Sequence, residues 1–565
     1  MYNRRLRWRI RCFLEDQAAE FGSRISRSRP ARWMARQPAV VFVARILLIV
    51  RCFVANWIWW PVKRLARRGR KFMAAHEVWA WLTTWAVCVG LAEAIILPTY
   101  TGYLKVAEGL LATTAFVIIG FRSPLTGLLL WLGTSPLLNV YLRFQFLRGT
   151  PIITGSRVCV GILLVVFLMH AKRESRTEKN FLLHACMVLF IVAMLIASVP
   201  AVNPKSTVQM VLDSYMMPML VYLFARRWVS DRRSLSIAFI ILICVGVYFS
   251  ALAIPEHFTG KNWFTISGRP AWIEEELETV RVQGPADSPT EFGSTVIVAM
   301  MLVLVKLAYE PRSGKRFLYA AALTLMTIGI CLTLRRAVYV GVVMAFLGLL
   351  LAAPKPRKLA GTILAVSAVV LLVSWQSLVN SKLYSVRIKD VKPLYSRAVT
   401  QATTLNMIKH RPILGFGVDN FMTAKKDYLV PYKDIAYSYG RGVSTPHNSY
   451  MRIMVEGGIV AFLPFFGMIT LMLATSIRAW RRCREGGLLG RDGIVVFWTF
   501  SAVYLAQSFQ GDTFWYCNYI SALWFFFFGA VVGVHMQKPL EPVPERQRRR
   551  ASLSRLSSPT LPVRR

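Results

Sequence analysis

The sequence predicts an all-α polytopic membrane protein, and three observations carry that expectation. Mean hydropathy is +0.45 and 55% of the 565 residues are hydrophobic, far above a soluble globular average. Apolar runs of about eighteen or more residues recur along the chain, each long enough to cross a hydrocarbon core of about 30 Å. In lipid such runs must be helices, because their backbone groups have no water to bond.

Taken in order, spans of about twenty residues are expected to begin near residues 78, 104, 124, 152, 181, 208, 235, 288, 317, 337, 358, 449, 493 and 512. About 12 to 14 transmembrane helices result. With the N-terminus in the cytoplasm, alternate connections carry Arg122, then Lys172, Arg173, Arg176 and Lys179, then Arg226, Arg227, Arg232 and Arg233. Lys315 and Arg316, then Lys355, Arg357 and Lys358, then Arg478, Arg481, Arg482 and Arg484 follow on the same side, as does the Arg546–Arg550 tail. That bias is the positive-inside pattern. The connection with Arg143, Arg148 and Arg157 breaks it.

Three regions are expected: a basic cytoplasmic or interfacial segment over 1–75, a transmembrane domain over 76–536 and a basic disordered cytoplasmic tail over 537–565. Residues 39–60 are apolar but carry Arg45 and Arg51 and end in Trp57, Trp59 and Trp60, which suits a helix lying in the interface better than the alternative, a crossing that would flip every loop assignment. No cleavable signal peptide is expected, since the first apolar run starts late and lacks a small-residue cleavage site. The net charge of +41 resides in the N-terminal segment, the inside connections and the tail, so its partner is an anionic lipid membrane and not nucleic acid. The nine cysteines are scattered singly and show no metal-ligand spacing.

Two long outside loops, 257–287 and 377–448, interrupt the spans, and long loops between membrane helices commonly carry function. In the second, Ser396 is a candidate N-cap for an amphipathic helix reaching Met407 and Ile408. Pro412 ends that helix, and Gly415 and Gly417 permit a tight turn. Tyr428, Tyr432, Tyr437 and Tyr439 offer flat faces suited to a sugar ring or to the bilayer interface. The loop closes on Pro446-His447-Asn448-Ser449-Tyr450, where a histidine meets both water and the next helix.

Arginines supply the other half of a site. Arg335 and Arg336 stand between two apolar runs with almost no linker, and Arg281 precedes the span opening at Ser288-Pro289. An arginine near hydrocarbon costs about 2.5 to 3.5 kcal/mol at full depth, and its planar fork bonds phosphate oxygens bidentately at any working pH. Snorkelling to headgroups is the plainer use of any one such arginine.

Arg281 and Gly284, Arg336, Arg397, the Pro412 to Gly417 turn, His447-Asn448-Ser449-Tyr450 and Glu456-Gly457-Gly458 occur in an order that resembles the O-antigen ligase and polymerase superfamily, over roughly residues 200–480. The resemblance implies a lipid-dependent glycosyltransferase fold of the GT-C-like type and transfer of a glycan from undecaprenyl diphosphate without a metal or other cofactor. It implies that Arg281 and Arg336 hold the diphosphate and that His447 serves the acceptor. Arg335, Arg397, Asn448, Tyr450, Gly415, Gly417 and Glu456 would complete the substrate site. The family often has Ser-Arg-Gly where this chain has Arg335-Arg336-Ala337, so either arginine can be the functional one; Arg336 is chosen.

The acceptor would be another glycan, lipid A core or a protein, the product an O-antigen or exopolysaccharide, and the location the bacterial inner membrane with both termini cytoplasmic and the site facing the periplasm. A histidine with an ordinary pKa near 6.5 suits proton removal from a hydroxyl, and one displacement without a covalent intermediate inverts the anomeric centre. The competing reading is a transporter or lipid-linked oligosaccharide flippase, motivated by Glu93, His184 and Asp213 within spans.

Overall fold

A computed structural model of the chain describes residues 102–141, 143–144, 153–170, 180–199, 204–262, 272–274, 279–380, 392–430, 445–516 and 518–537. The expectations for 1–75, the first span near 78, Glu93, Tyr432, Tyr437, Tyr439 and the tail beyond Gln537 lie outside these residues.

The fold is all-α. Its helices are α1 (Gly102–Arg122), α2 (Pro124–Tyr141), α3 (Gly155–Met169), α4 (Phe181–Ala197), α5 (Pro204–Val211), α6 (Met217–Trp228), α7 (Arg232–Thr259), α8 (Pro289–Tyr309), α9 (Ser313–Leu332), α10 (Arg336–Ala352) and α11 (Pro356–Val373). After α12 (Trp375–Val379), α13 (Lys392–His410) and α14 (Phe421–Ala424) come α15 (Ser449–Arg482), α16 (Arg491–Gln510), α17 (Thr513–Tyr516) and α18 (Asn518–His535). Two antiparallel strand pairs, β1 (Arg143–Phe144) with β2 (Ile153–Thr154) and β3 (Trp272–Glu274) with β4 (Thr279–Arg281), decorate connections.

Every span expected after the first has a helix. Among the described residues, seven helical segments can cross a membrane by length and composition: Thr207–Trp228, α7, α8, α9, α11, α15 and α18. α3, α4, α10 and the Ala112–Arg122 part of α1 are shorter apolar helices. Packing sorts them into centre and rim. α8 and α18 are 78% and 83% buried, whereas α9 and α11 are 17% and 11% buried and present Phe317, Val366, Val370 and Leu372 outward. In water such apolar faces would be an aggregation surface; in lipid they are the solvated one.

Contacts between connections sort the helix ends into two faces. On one, Arg232 pairs with Glu485, Arg227 donates to the His170 carbonyl and Gln537 to the Ser230 carbonyl. There also the Tyr309 hydroxyl donates to Asp492 at 2.6 Å and the Lys355 ammonium sits 4.5 Å from the Tyr309 ring. These connections carry many of the basic residues, which therefore share one face. Within the exception, Arg157 pairs with Asp213, so its charge answers an internal partner and gives no orientation signal; Arg148 lies outside the described residues. Asp213 lies in a π-helical turn, Leu212–Met216, that joins α5 to α6.

α15 is the element that builds the opposite face. Gly458 breaks it, with φ 62° and ψ −168°, a region open essentially to glycine alone. The backbone groups freed by the break are taken by the loop after α13: Phe416 and Gly417 N–H donate to the Val455 and Glu456 carbonyls at 2.8 and 2.9 Å, and Ile459 N–H donates to the Pro412 carbonyl at 2.8 Å. The proline-glycine turn and the Glu-Gly-Gly helix start are therefore one interlocked unit. A Cβ on Gly458 would fall 2.0 Å from the Ile413 carbonyl oxygen. Gly458→Ala should cost at least about 1 to 3 kcal/mol from backbone strain, read as a lower thermal midpoint in detergent; an unchanged midpoint would remove the interlock from the account.

Candidate functional site

The second face gathers the predicted site from three directions. Arg281 ends β4, paired with Trp272, and its side chain is buried. The turn behind it is held by Glu256 of α7, whose carboxylate accepts from Gln283 N–H at 3.2 Å, Gly284 N–H at 2.7 Å and the Asn262 amide at 3.2 Å. Gly284 takes φ 55° there. Val282 N–H then donates to the Leu332 carbonyl at 3.3 Å, which places the Arg281 strand against the corner between α9 and α10.

That corner carries Arg335 and Arg336. Leu334 turns it with φ 49°, Arg335 is the N-cap residue of α10, and its Nε donates to the Thr290 hydroxyl at 3.2 Å. Arg336, the first helical residue, is exposed. The start of α8 is itself fixed, because Ser288 caps Glu291 N–H at 3.1 Å and the Glu291 carboxylate accepts from Asp287 N–H, one residue before the cap, at 3.0 Å. Glu291 also accepts from Tyr519 N–H at 2.9 Å, so one carboxylate joins the starts of α8 and α18.

The third contributor is the long loop. Its helix begins at Lys392, earlier than the predicted cap, so Ser396 lies inside α13 instead of at its N-terminus. Val399 and Met407 bury against Phe416, Phe421 and Val455, which seats α13 on α15. Arg397 is half-buried; burial and the charge of Arg336 both push it below its ordinary value. Two like charges held in one neighbourhood repel, an energy that an anion between them relieves. Tyr428 stands edge-on to His410 and Phe416 at 4.9 and 5.1 Å.

His447 takes φ 51°, and its Nδ1 lies 3.3 Å from the Thr445 hydroxyl. Burial holds the imidazole below its usual pKa; Asp512 opposes that shift, while Arg397, Arg335 and Arg452 add to it. These causes locate His447 among the arginines. Leu334, Asp419 and His447 are the non-glycine residues with positive φ among the described residues, and all three border this site, where strain commonly concentrates.

Several predicted contacts take other posts. Asn448 is the N-cap of α15, its Oδ1 accepting from Tyr450 and Met451 N–H at 3.0 and 3.1 Å, so only its amide side is available to orient a neighbour. The Tyr450 hydroxyl donates to the Leu505 carbonyl at 3.0 Å, tying α15 to α16. Gly415 and Gly417, at φ 68° and 92°, shape the interlocked turn; a Cβ on Gly415 would fall 2.6 Å from the Glu456 backbone. Glu456 lies fully buried beneath the site, where it binds Arg452 at 3.1 Å and accepts from Asp419 N–H at 3.3 Å.

Sequence reasoning missed Arg452 and Asp512. Arg452 spans Glu456 and Asp512, the latter at 3.4 Å, with all three side chains at most 4% exposed. The spacing of Arg452 and Glu456 by four on one helix was a usable signal. Asp512 had none, since it reaches the network only because Ser449 accepts from Phe514 N–H and donates to the Gly511 carbonyl at 3.0 Å. Among the described residues no group of three or more His, Cys, Asp or Glu could hold a metal ion.

Of the intramembrane polar residues that motivated a transporter, Asp213 and His184 are helix-packing partners, and Glu93 lies outside the described residues. Asp213 pairs with Arg157, and His184 receives Arg226 at 2.7 Å beside the Tyr222 hydroxyl.

No curated protein matches the chain. Residues 321–466 match the family model described as O-antigen ligase, a narrower stretch than the sequence resemblance covered. The match contains Arg335, Arg336, Arg397, the proline-glycine turn, His447 and Glu456 and stops short of Arg281 and Asp512. Over that stretch the chain is similar to the O-antigen ligase family, and the arginine corner, the proline-glycine turn and His447 fall within the likeness.

Proposed function

We propose that the protein joins a glycan carried on undecaprenyl diphosphate to a sugar hydroxyl of a second glycan or of lipid A core, at the outer side of a bacterial inner membrane. The observation that supports this reading is that one face holds Arg335 and Arg336 at the start of α10, Arg397 on α13 and His447 before α15, with the charges of Arg335 and Arg397 reaching His447 and that of Arg336 reaching Arg397. The basic residues on the opposite face favour a cytoplasmic location for that face, which turns the site outward.

In the proposed step the acceptor oxygen bonds to the anomeric carbon as the bond from that carbon to the diphosphate oxygen breaks. The electron pair leaves with the diphosphate, whose charge the guanidiniums stabilise. The hydroxyl proton passes to His447. One displacement inverts the anomeric centre, and the arginines supply the positive charge that a divalent ion would otherwise contribute. The test is a proteoliposome assay with a lipid-diphosphate glycan, an acceptor and excess chelator. Joined product is expected; its absence until divalent metal is added would overturn the metal-independent step.

The depressed pKa of His447 sets the pH dependence. A lowered value keeps the imidazole neutral, and able to accept a proton, below pH 6.5. The acid limb of kcat/KM should therefore lie below that of a free imidazole, at about 6.5. Arg397→Gln removes a depressing charge and should move the limb up; a limb that stays in place would dissociate His447 from the titration.

A further inference from the structure

We propose that the basic face carries a binding site for an anionic phospholipid headgroup, in a cavity between the end of α8 and the starts of α9 and α11. The cavity encloses about 490 Å³ and is lined by Arg316, Lys355, Lys358 and Glu310, with an apolar side made by Phe317 and Leu359 among others. Three cations face one carboxylate. Glu310 is engaged locally, accepting from Arg312 N–H at 3.3 Å, and Lys355 is held over the Tyr309 ring. Basic pockets between transmembrane helices on the cytoplasmic side are suited to phosphate headgroups.

The surroundings choose a lipid over a soluble anion. The cavity opens between α9 and α11, the two least buried of the candidate spans. Phe317, 77% exposed at its edge, continues into Leu318 and, along α11, into Val366 and Val370. A ligand with a phosphate at the rim and acyl chains against these faces satisfies both halves. Arg357, next in sequence to the rim, instead donates to the Leu350 carbonyl at 2.9 Å, so the cationic lining is a selection from the local basic residues.

This is a separate site from the arginine cluster. The two stand at opposite ends of α9, a 20-residue helix that spans about 30 Å. The inference therefore does not depend on the transferase reading, and its test uses no activity measurement.

The full chain would be exchanged from phosphatidylcholine nanodiscs doped with diphosphatidylglycerol into neutral detergent, and the retained lipid counted by native mass spectrometry. Wild type should retain diphosphatidylglycerol. The Arg316→Gln, Lys355→Gln, Lys358→Gln triple variant should lose retention by about tenfold or more, while a triple variant of exposed arginines elsewhere on that face, Arg481→Gln, Arg482→Gln and Arg484→Gln, should not. Equal retention in all three proteins, or equal loss in both variants, would overturn the site. Displacement of the lipid by inorganic phosphate at matching concentration would overturn its assignment to a lipid. If the triple variant is not monodisperse, Lys358→Gln alone decides, with a loss of about threefold or more expected.

Discussion

Alanine at Arg336 should lower glycan joining by about a hundred- to a thousandfold while the protein still folds. The size of the effect is that of removing one preorganised charge-stabilising donor from a transfer site. Arg336 opens α10 directly after the Leu334 turn, and its side chain is exposed, so its removal leaves no buried group unpaired. Arg336→Lys keeps the charge without the bidentate fork and should recover only part of the rate. His447→Ala should cost about a hundred- to ten-thousandfold, the range for loss of a general base. Arg335→Ala offers the contrast, since Arg335 also donates to Thr290 at 3.2 Å and so helps hold α10 against α8. Turnover assays on protein first shown to be monodisperse make the comparison, and wild-type rates in Arg336→Ala and His447→Ala would remove the mechanism.

The second large effect is on stability. Replacing Arg452 with methionine should destabilise the fold by about 3 to 5 kcal/mol, because it leaves the carboxylates of Glu456 and Asp512 buried without their counter-charge. Both are effectively inaccessible, at 0% and 1% side-chain exposure, and Arg452 reaches them at 3.1 and 3.4 Å. The neutral triple variant Arg452→Met, Glu456→Gln, Asp512→Asn removes the uncompensated charges together and should recover most of that loss. Thermal unfolding in detergent measures both proteins. A single variant within about 1 kcal/mol of wild type would mean that the three charges are solvated in the membrane-embedded protein.

The fold was largely legible because crossing a membrane imposes length and hydropathy together: α8, α9, α10 and α15 start within a turn or so of where their apolar runs begin. That several basic connections share one face was legible from their alternation, whereas the pairing of Arg157 with Asp213, 56 positions away, was not. Within the site, the arginines, His447 and the glycine turn were readable as residue types that the bilayer disfavours or the backbone requires. Asn448 was readable as a polar residue but not as a cap, since capping depends on where the helix starts. Asp512 joins the site across 60 residues of chain from Arg452, and no local pattern encodes such a pairing.

The broken α15 also constrains how lineages of this protein can vary in length. The carbonyls of Val455 and Glu456 and the amide of Ile459 are satisfied by residues 412–417 in fixed register. One residue gained or lost between Pro412 and Gly417 would shift every pairing and strand polar backbone in an apolar setting. Insertions between residues 381 and 391, or between 431 and 444, would leave that register intact. Homologous sequences should therefore show a gap-free block from Pro412 to Gly417 and another from His447 to Val460, with indels gathered in the stretches on either side.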